Sequence, residues 1–346
     1  MGRFLRRRRG WLAGFGAGSA LAGLGALGTI AAAAAAPAAA QSAAAQAPWP
    51  TRPVHIVVPY PPGGASDITA RLLAQKLTEL WGQSVVVDNR AGANGIIALE
   101  YAAKQPADGH TLLFANLGPN AINPAVYSKL PYDPIRDFTP ITLTTLVPQI
   151  LVASPTLPQK TLAEVIEFAR ANPGKLNYGT GGNGSANHLG IELAASIAGI
   201  RMTAVPYKGD GPAMTDTISG QVAMSMPTVP AALPNIKAGK LRPLAVAGKT
   251  RVAALPDVPT MQEAGVPGYE SVSWGGVMGP GGLPADLARR IDAALQTVLK
   301  QPDVRDKLQA QGADIVAEGP DAFGRFLAVE IEKWAGVAKK AGIKID

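Results

Sequence analysis

The sequence predicts an α/β protein of two domains, and three observations lead there. Beyond residue 49, short apolar runs alternate with segments whose apolar residues recur at three- and four-residue spacing, the pattern of strands followed by helices. The 346 residues are enough for two domains, taking about 150 residues per domain. One device also occurs twice: strand, glycine-bearing turn and helix start meet at Tyr60–Asp67 and again at Tyr178–Ser185.

The first unit begins with the apolar run Val54–Val58, read as a buried strand. It ends in Tyr60-Pro61-Pro62-Gly63-Gly64-Ala65-Ser66-Asp67 and continues as a helix on Ile68, Leu72, Leu73, Leu77, Leu80 and Trp81. The first N–H groups of such a helix lack intrahelical partners, and its dipole adds positive charge there, so a carboxylate or phosphate is a natural guest. Gly63 and Gly64 permit close approach, and Asp67 or Ser66 is expected to cap the helix. An ordinary βα turn is the alternative. Next come a strand at Ser84–Val87, a second glycine-bearing loop at Asp88–Gly95 and a helix around Ile96–Lys104. A strand at His110–Ala115 then leads to a third polar loop, Asn116–Asn123. Three strands thus end in loops along one rim, where open α/β sheets bind ligands.

After a proline-rich stretch, Ile141–Leu146 and Gln149–Ala153 read as strands near a domain crossing. Thr161 and Glu164 have capping-box spacing before a helix face of Leu162, Val165, Ile166 and Ala169. Strands are expected at Leu176–Gly179, Met202–Pro206, Val222–Met226 and Leu241–Ala247, with helices at Ser185–Ile197 and Gly211–Ser219. From about Leu255 the chain is expected to return to the first domain, with a strand at Ser271–Met278, a helix through Leu287–Leu299 and a last helix through Phe323–Trp334. The expected division is 49–147 plus 255–346 for the first domain and 148–254 for the second.

The first 45 residues are set apart. Arg3, Arg6, Arg7, Arg8 and Arg9 precede a weakly apolar Ala/Gly/Leu run and small-residue sites such as Ala38-Ala39-Ala40, which reads as a secretory signal peptide. Arg8-Arg9-Gly10-Trp11-Leu12 also suits a twin-arginine signal, and a retained membrane anchor is the competing reading. Removal takes five arginines and no acid, so the formal +7 falls to +2 and the basic balance says little about nucleic acid. With no cysteine there is no disulfide frame and no thiol nucleophile. His55, His110 and His188 lack ligand spacing, so no metal and no cofactor is expected.

In the second device, Tyr178-Gly179-Thr180-Gly181-Gly182-Asn183-Gly184-Ser185 lies between strand and helix, with Asn187 and His188 in the first helical turn. Two facing helix N-termini would form a pincer for a carboxylate, with Ser66, Thr180, Asn183 and Ser185 as further donors. Gly179, Gly181 and Gly184 match the dinucleotide pattern GxGxxG, but the next strand ends in Val205-Pro206-Tyr207-Lys208 without the acid that holds a ribose. No P-loop, GxSxG elbow or HExxH is present. Ser185, His188 or Asp67 would be the residues of an exported enzyme acting on a small carboxylate, the alternative reading.

From Trp49 onward the chain resembles the Bug-type periplasmic solute receptors of tripartite tricarboxylate transporters. The resemblance rests on Val57–Gly64 with Asp67, Asn89–Gly95, Ala121–Pro124, His188-Leu189, Val205–Gly209, Gly220-Gln221-Val222, Ile236–Arg242, Leu255–Thr260 and Glu263-Ala264-Gly265. It implies a two-domain periplasmic-binding-protein (Venus-flytrap) fold that holds a small organic acid in the cleft without acting on it chemically. It also implies a periplasmic monomer that delivers solute to membrane transporter subunits or a sensor. The expected ligand-binding set is Tyr60, Gly63, Gly64, Ala65, Ser66, Asp67, Asn120, Thr180, Gly181, Gly182, Asn183, Ser185, His188 and Tyr207. Where the family commonly has an acid after Gly-Gln-Val, this chain has Ala223, which weighs against an amino-acid ligand. Arg90 and Lys208 are candidate counter-ions, with ion pairs on the protein as the alternative. Tyr60 and Trp274 are candidate cleft walls, with core packing as theirs.

Overall fold

The computed structural model describes residues 48–345 except Lys208 and Gln311. The expected signal peptide and the Lys208 counter-ion lie outside the described residues. The chain runs through β1 (Val54–Val58), α1 (Ala65–Trp81), β2 (Val85–Asn89), α2 (Ile96–Ala103), β3 (Thr111–Asn116), α3 (Asn123–Val126) and β4 (Phe138–Pro148). It continues through β5 (Ile150–Ala153), α4 (Leu162–Ala171), β6 (Asn177–Thr180), α5 (Ala186–Ala198), β7 (Thr203–Pro206), α6 (Asp210–Ser219), β8 (Met224–Ser225), α7 (Val229–Lys237) and β9 (Arg242–Val246). The remainder is β10 (Val272–Pro280), α8 (Ala285–Leu299), α9 (Pro302–Ala310), β11 (Asp314–Glu318) and α10 (Pro320–Ala341).

These strands form two sheets, ordered β11-β4-β10-β3-β1-β2 and β7-β6-β8-β5-β9. Around β1 the first sheet is parallel, whereas β10 joins β3 and β4 antiparallel. In the second, β6 pairs parallel with β7 and β8, and β5 lies antiparallel to β8 and β9. The unbroken apolar character of β1 follows from burial on both faces. Ile56 and Val58 pack with Leu73, Leu77, Ile291 and Leu295 on one side, while Val57 packs with Leu99, Trp274 and Phe323 on the other. A separate core of Tyr178, Ile191, Met224, Met261 and Tyr269 fills the second lobe.

Two strands of chain cross between the sheets, and they are bonded to each other. Gln149, between β4 and β5, is buried, and its carbonyl accepts from Ala247 N (2.9 Å). Ser271, just before β10, donates through its hydroxyl to Gln149 Oε1 (3.2 Å). Met261, Val266 and Tyr269 pack in the second lobe's core, so the chain re-enters the first sheet later than residue 255.

Several elements differ from expectation for local reasons. The third polar loop is a widened helical turn at Gly118–Ile122 followed by α3, held where Asn120 Oδ1 accepts from Asn116 N (3.0 Å). Helix α7 was not foreseen because Pro230 and Pro234 lie within it, and proline is tolerated in a first turn but reads as a breaker inside a helix. The polar stretches of α9 and β11 were likewise not foreseen. Thr161 does cap α4, accepting from Glu164 N (3.2 Å), but Glu164 reaches back to Lys160 N (2.7 Å) instead of the cap itself.

Candidate functional site

In the first loop, neither Asp67 nor Ser66 caps α1. The N-cap is Gly64, which has no side-chain cap bond. Asp67 is turned back as a brace. Its Oδ2 accepts from Gly63 N (2.9 Å) and Arg71 Nε (3.0 Å), and its Oδ1 accepts from Asn89 Nδ2 (2.9 Å). Asn89 Nδ2 also reaches Tyr60 O (3.1 Å), tying the loop to β2. Burial alone would raise the Asp67 pKa, but the bonds from Arg71, Gly63 and Asn89 outweigh it and hold the carboxyl below its ordinary value. Ser66 Oγ accepts from Asn116 Nδ2 (3.2 Å). Gly63, Gly64 and Ala65 are exposed, so the uncapped first turn of α1 opens to solvent with its dipole uncompensated by a cap.

The second loop is closed on itself. Gly181 N donates to Asn187 Oδ1 (3.1 Å), Gly182 N to Thr180 Oγ1 (3.2 Å), Gly184 N to His188 Nδ1 (3.1 Å) and Ser185 N to Gly182 O (3.2 Å). Ser185 caps α5, accepting from His188 N (3.4 Å), and its hydroxyl donates to Gly182 O (2.7 Å) or Asn187 Oδ1. His188 is buried, which lowers its pKa, and because Nδ1 accepts, the neutral ring carries its proton on Nε2. Ser185 and His188 therefore do not form a nucleophile–base pair. Gly184 is required twice over, by φ of +71° and because a Cβ would lie 2.6 Å from Ile345 Cδ1. Of the loop residues only Asn183 is exposed.

Beside the second loop lies Asp210, at the start of α6. Its Oδ1 accepts from Asn187 Nδ2 (2.5 Å) and stands 2.3 Å from where a Cβ on Gly181 would be. Much of its surface meets water, yet protein atoms crowd the carboxylate. That desolvation pushes its pKa up against the lowering effect of the Asn187 bond. Tyr60 of the first loop is half-buried, its phenol pKa raised by burial first and by the charge of Asp210 second. The Tyr60 hydroxyl lies 3.2 Å from where a Cβ on Gly118 would be.

Asn120 and Trp274 lie in the core, whereas Tyr207 stays beside the second loop, its N–H donating to Thr180 O (2.9 Å). Asn120 is fully buried, with its amide nitrogen 3.6 Å from Met278 Sδ, so it secures its own turn within the core. Tyr207 donates from its hydroxyl to Asp216 Oδ2 (2.7 Å), and burial followed by that bond pushes its pKa up to about 12. Trp274 is core and not cleft wall: it packs edge-on against Phe323 and Phe326 and shares the Glu330 carboxylate with Trp334. Arg90 is paired with Asp88 (2.8 Å) and stacked over Tyr101. Sequence reasoning missed Asn187, Asp210, Asn89 and Asn116 as organisers. The available signal was an asparagine two residues after a cap serine and an acid at a helix start. Among the described residues no group of three His, Cys, Asp or Glu is gathered as for a metal ion.

Two α/β lobes joined by paired crossings, each with a glycine loop between a strand and a helix, give the architecture of a periplasmic binding protein. The chain belongs to the tripartite tricarboxylate transporter family receptors, whose family model matches residues 69–343. It is 38% identical to the protein BugT of Bordetella pertussis over 298 residues, covering 86% of this chain and 91% of BugT. Among solved structures, Rpa4515 of R. palustris with adipate has a TM-score of 0.77 at 42% identity, covering 86% of this chain and 99% of that one. MatC of Rhodopseudomonas palustris with bound malate has a TM-score of 0.74 at 33% identity, covering 84% and 99%.

Proposed function

We propose that this protein is a periplasmic receptor that captures a small organic carboxylate between its lobes. One ligand carboxylate is received at the N-terminus of α1, within the set expected from sequence at Gly63–Asp67. The observation that carries this is the open, uncapped first turn of α1 flanked by exposed glycines. Thr180–Ser185 form the opposite wall, and Asn183 is the loop's exposed amide. Relatives solved with adipate and malate support the carboxylate class. The two bodies are divided at Gln149 and Ser271, and closure follows from a ligand that binds both lobes better together than apart. The chain is exported on its N-terminal leader, acts as a monomer without chemistry on its cargo, and hands it to membrane transporter subunits. A thermal-shift screen tests this, on protein partly unfolded and refolded to strip carried-over ligand. A carboxylate at a hundredfold excess over Kd stabilises by about 2.7 kcal/mol, and no shift with any acid would overturn the reading.

A further inference from the structure

We propose that Asp210 is a specificity-determining residue of this cleft, selecting acids that carry a hydroxyl or ammonium donor besides the carboxylate received by α1. The inference rests on the carboxylate-receptor reading and adds the chemistry of the second lobe. Asp210 Oδ1 is held by Asn187, whereas Oδ2 has no hydrogen-bond partner among the described residues. The glycine at 181 leaves the carboxylate room to lie over the loop backbone, since a Cβ there would stand 2.3 Å from it. Beside it, the N–H groups of Gly181, Gly182 and Gly184 and the Ser185 hydroxyl all turn inward to partners of their own loop. This wall therefore presents an acceptor with negative charge. A second ligand carboxylate placed there would meet a like charge, while a donor would gain a charge-assisted bond. The Asp210 charge is felt at the Tyr60 phenol of the first loop, as the second cause after burial of its raised pKa.

The test is calorimetric binding to wild type, Asp210→Ala and Asp210→Asn, the last keeping an acceptor for Asn187. The ligands form two matched series, succinate–malate–aspartate and propanoate–lactate–alanine. In at least one series, the wild type binds a donor-bearing acid about tenfold or more tighter than its plain counterpart. In both variants, checked for an unchanged unfolding midpoint, that ratio falls to about threefold or less. Plain and donor-bearing acids binding the wild type alike, or variants that keep the ratio, would overturn the assignment of Asp210. A wild type that binds none of the six but binds another acid of the thermal-shift screen would overturn the selectivity and leave the carboxylate reading standing, whereas binding of no acid at all would overturn both.

Discussion

The two glycine loops are assembled from the same parts, a strand, small residues and a helix start, yet they end in opposite conditions. The first leaves its helix uncapped and spends its acid, Asp67, on bracing the turn from behind. The second caps its helix with Ser185 and uses its own N–H groups on Asn187, Thr180 and His188. What separates them is the position of the carboxylate. Asp67 lies within the helix behind its loop, where Arg71 neutralises it, and Asp210 comes from a neighbouring helix to lie in front. On the proposed reading, the pincer drawn from sequence as two equivalent anion seats is asymmetric, one side donating and the other accepting.

The largest effect expected from this asymmetry is at Gly64. Its φ of −80° suits any residue and a Cβ would meet nothing closer than 3.9 Å, so Gly64→Trp should fold normally. By filling the open turn it should weaken carboxylate binding by more than about a hundredfold, read by calorimetry. Asn187→Ala comes next. It leaves the Gly181 N–H without its partner and Asp210 without its tether, and should destabilise by about 2 kcal/mol in denaturant unfolding. Backbone freedom gives a smaller contrast: Gly182→Ala, at φ of +129°, should lose about 1 kcal/mol, and Gly64→Ala less than about 0.5.

The smallest difference is in pH dependence, where the two carboxylates act with opposite sign. Asp67 has a folded pKa below the ordinary 3.8, so its contribution is complete above that value and is lost as pH falls through the lower folded one. Asp210 has a folded pKa above 3.8, so stability rises as pH falls from that raised value toward 3.8. Unfolding curves from neutral pH to pH 3 should show Asp67→Asn losing the acid-side decline and Asp210→Asn losing the acid-side gain. Superimposable pH profiles for the two variants would remove the proposed contrast.

Most of the fold was legible because periodicity survives wherever burial decides: β1, α1, β3, α5 and α10 follow their apolar patterns closely. Elements that escaped are those whose local chemistry argues against them, such as α7 with its two prolines, or the two-residue β8, where a five-residue strand was expected at Val222–Met226. In the site, the loops were legible from glycine and helix-start signals. The roles inside them were not. Whether Asp67 caps, braces or binds depends on Asn89 and Arg71, set by strand pairing and not by sequence distance. Asp210 reaches Gly181 only through the parallel pairing of β6 with β7, which places the start of α6 beside the second loop.

Helix α5 deserves a kinetic reading. Leu189 lies in the cluster of Trp274 and Phe323, and Ile191, two residues on, lies in that of Tyr178 and Met224. Interdigitated side chains exchange between discrete arrangements and do not slide smoothly. If the lobes swing apart about this helix, it has to re-seat against one of the two packed surfaces, and opening would then cross a barrier. How long a captured solute dwells is then governed by that gearwork as well as by the strength of its own contacts.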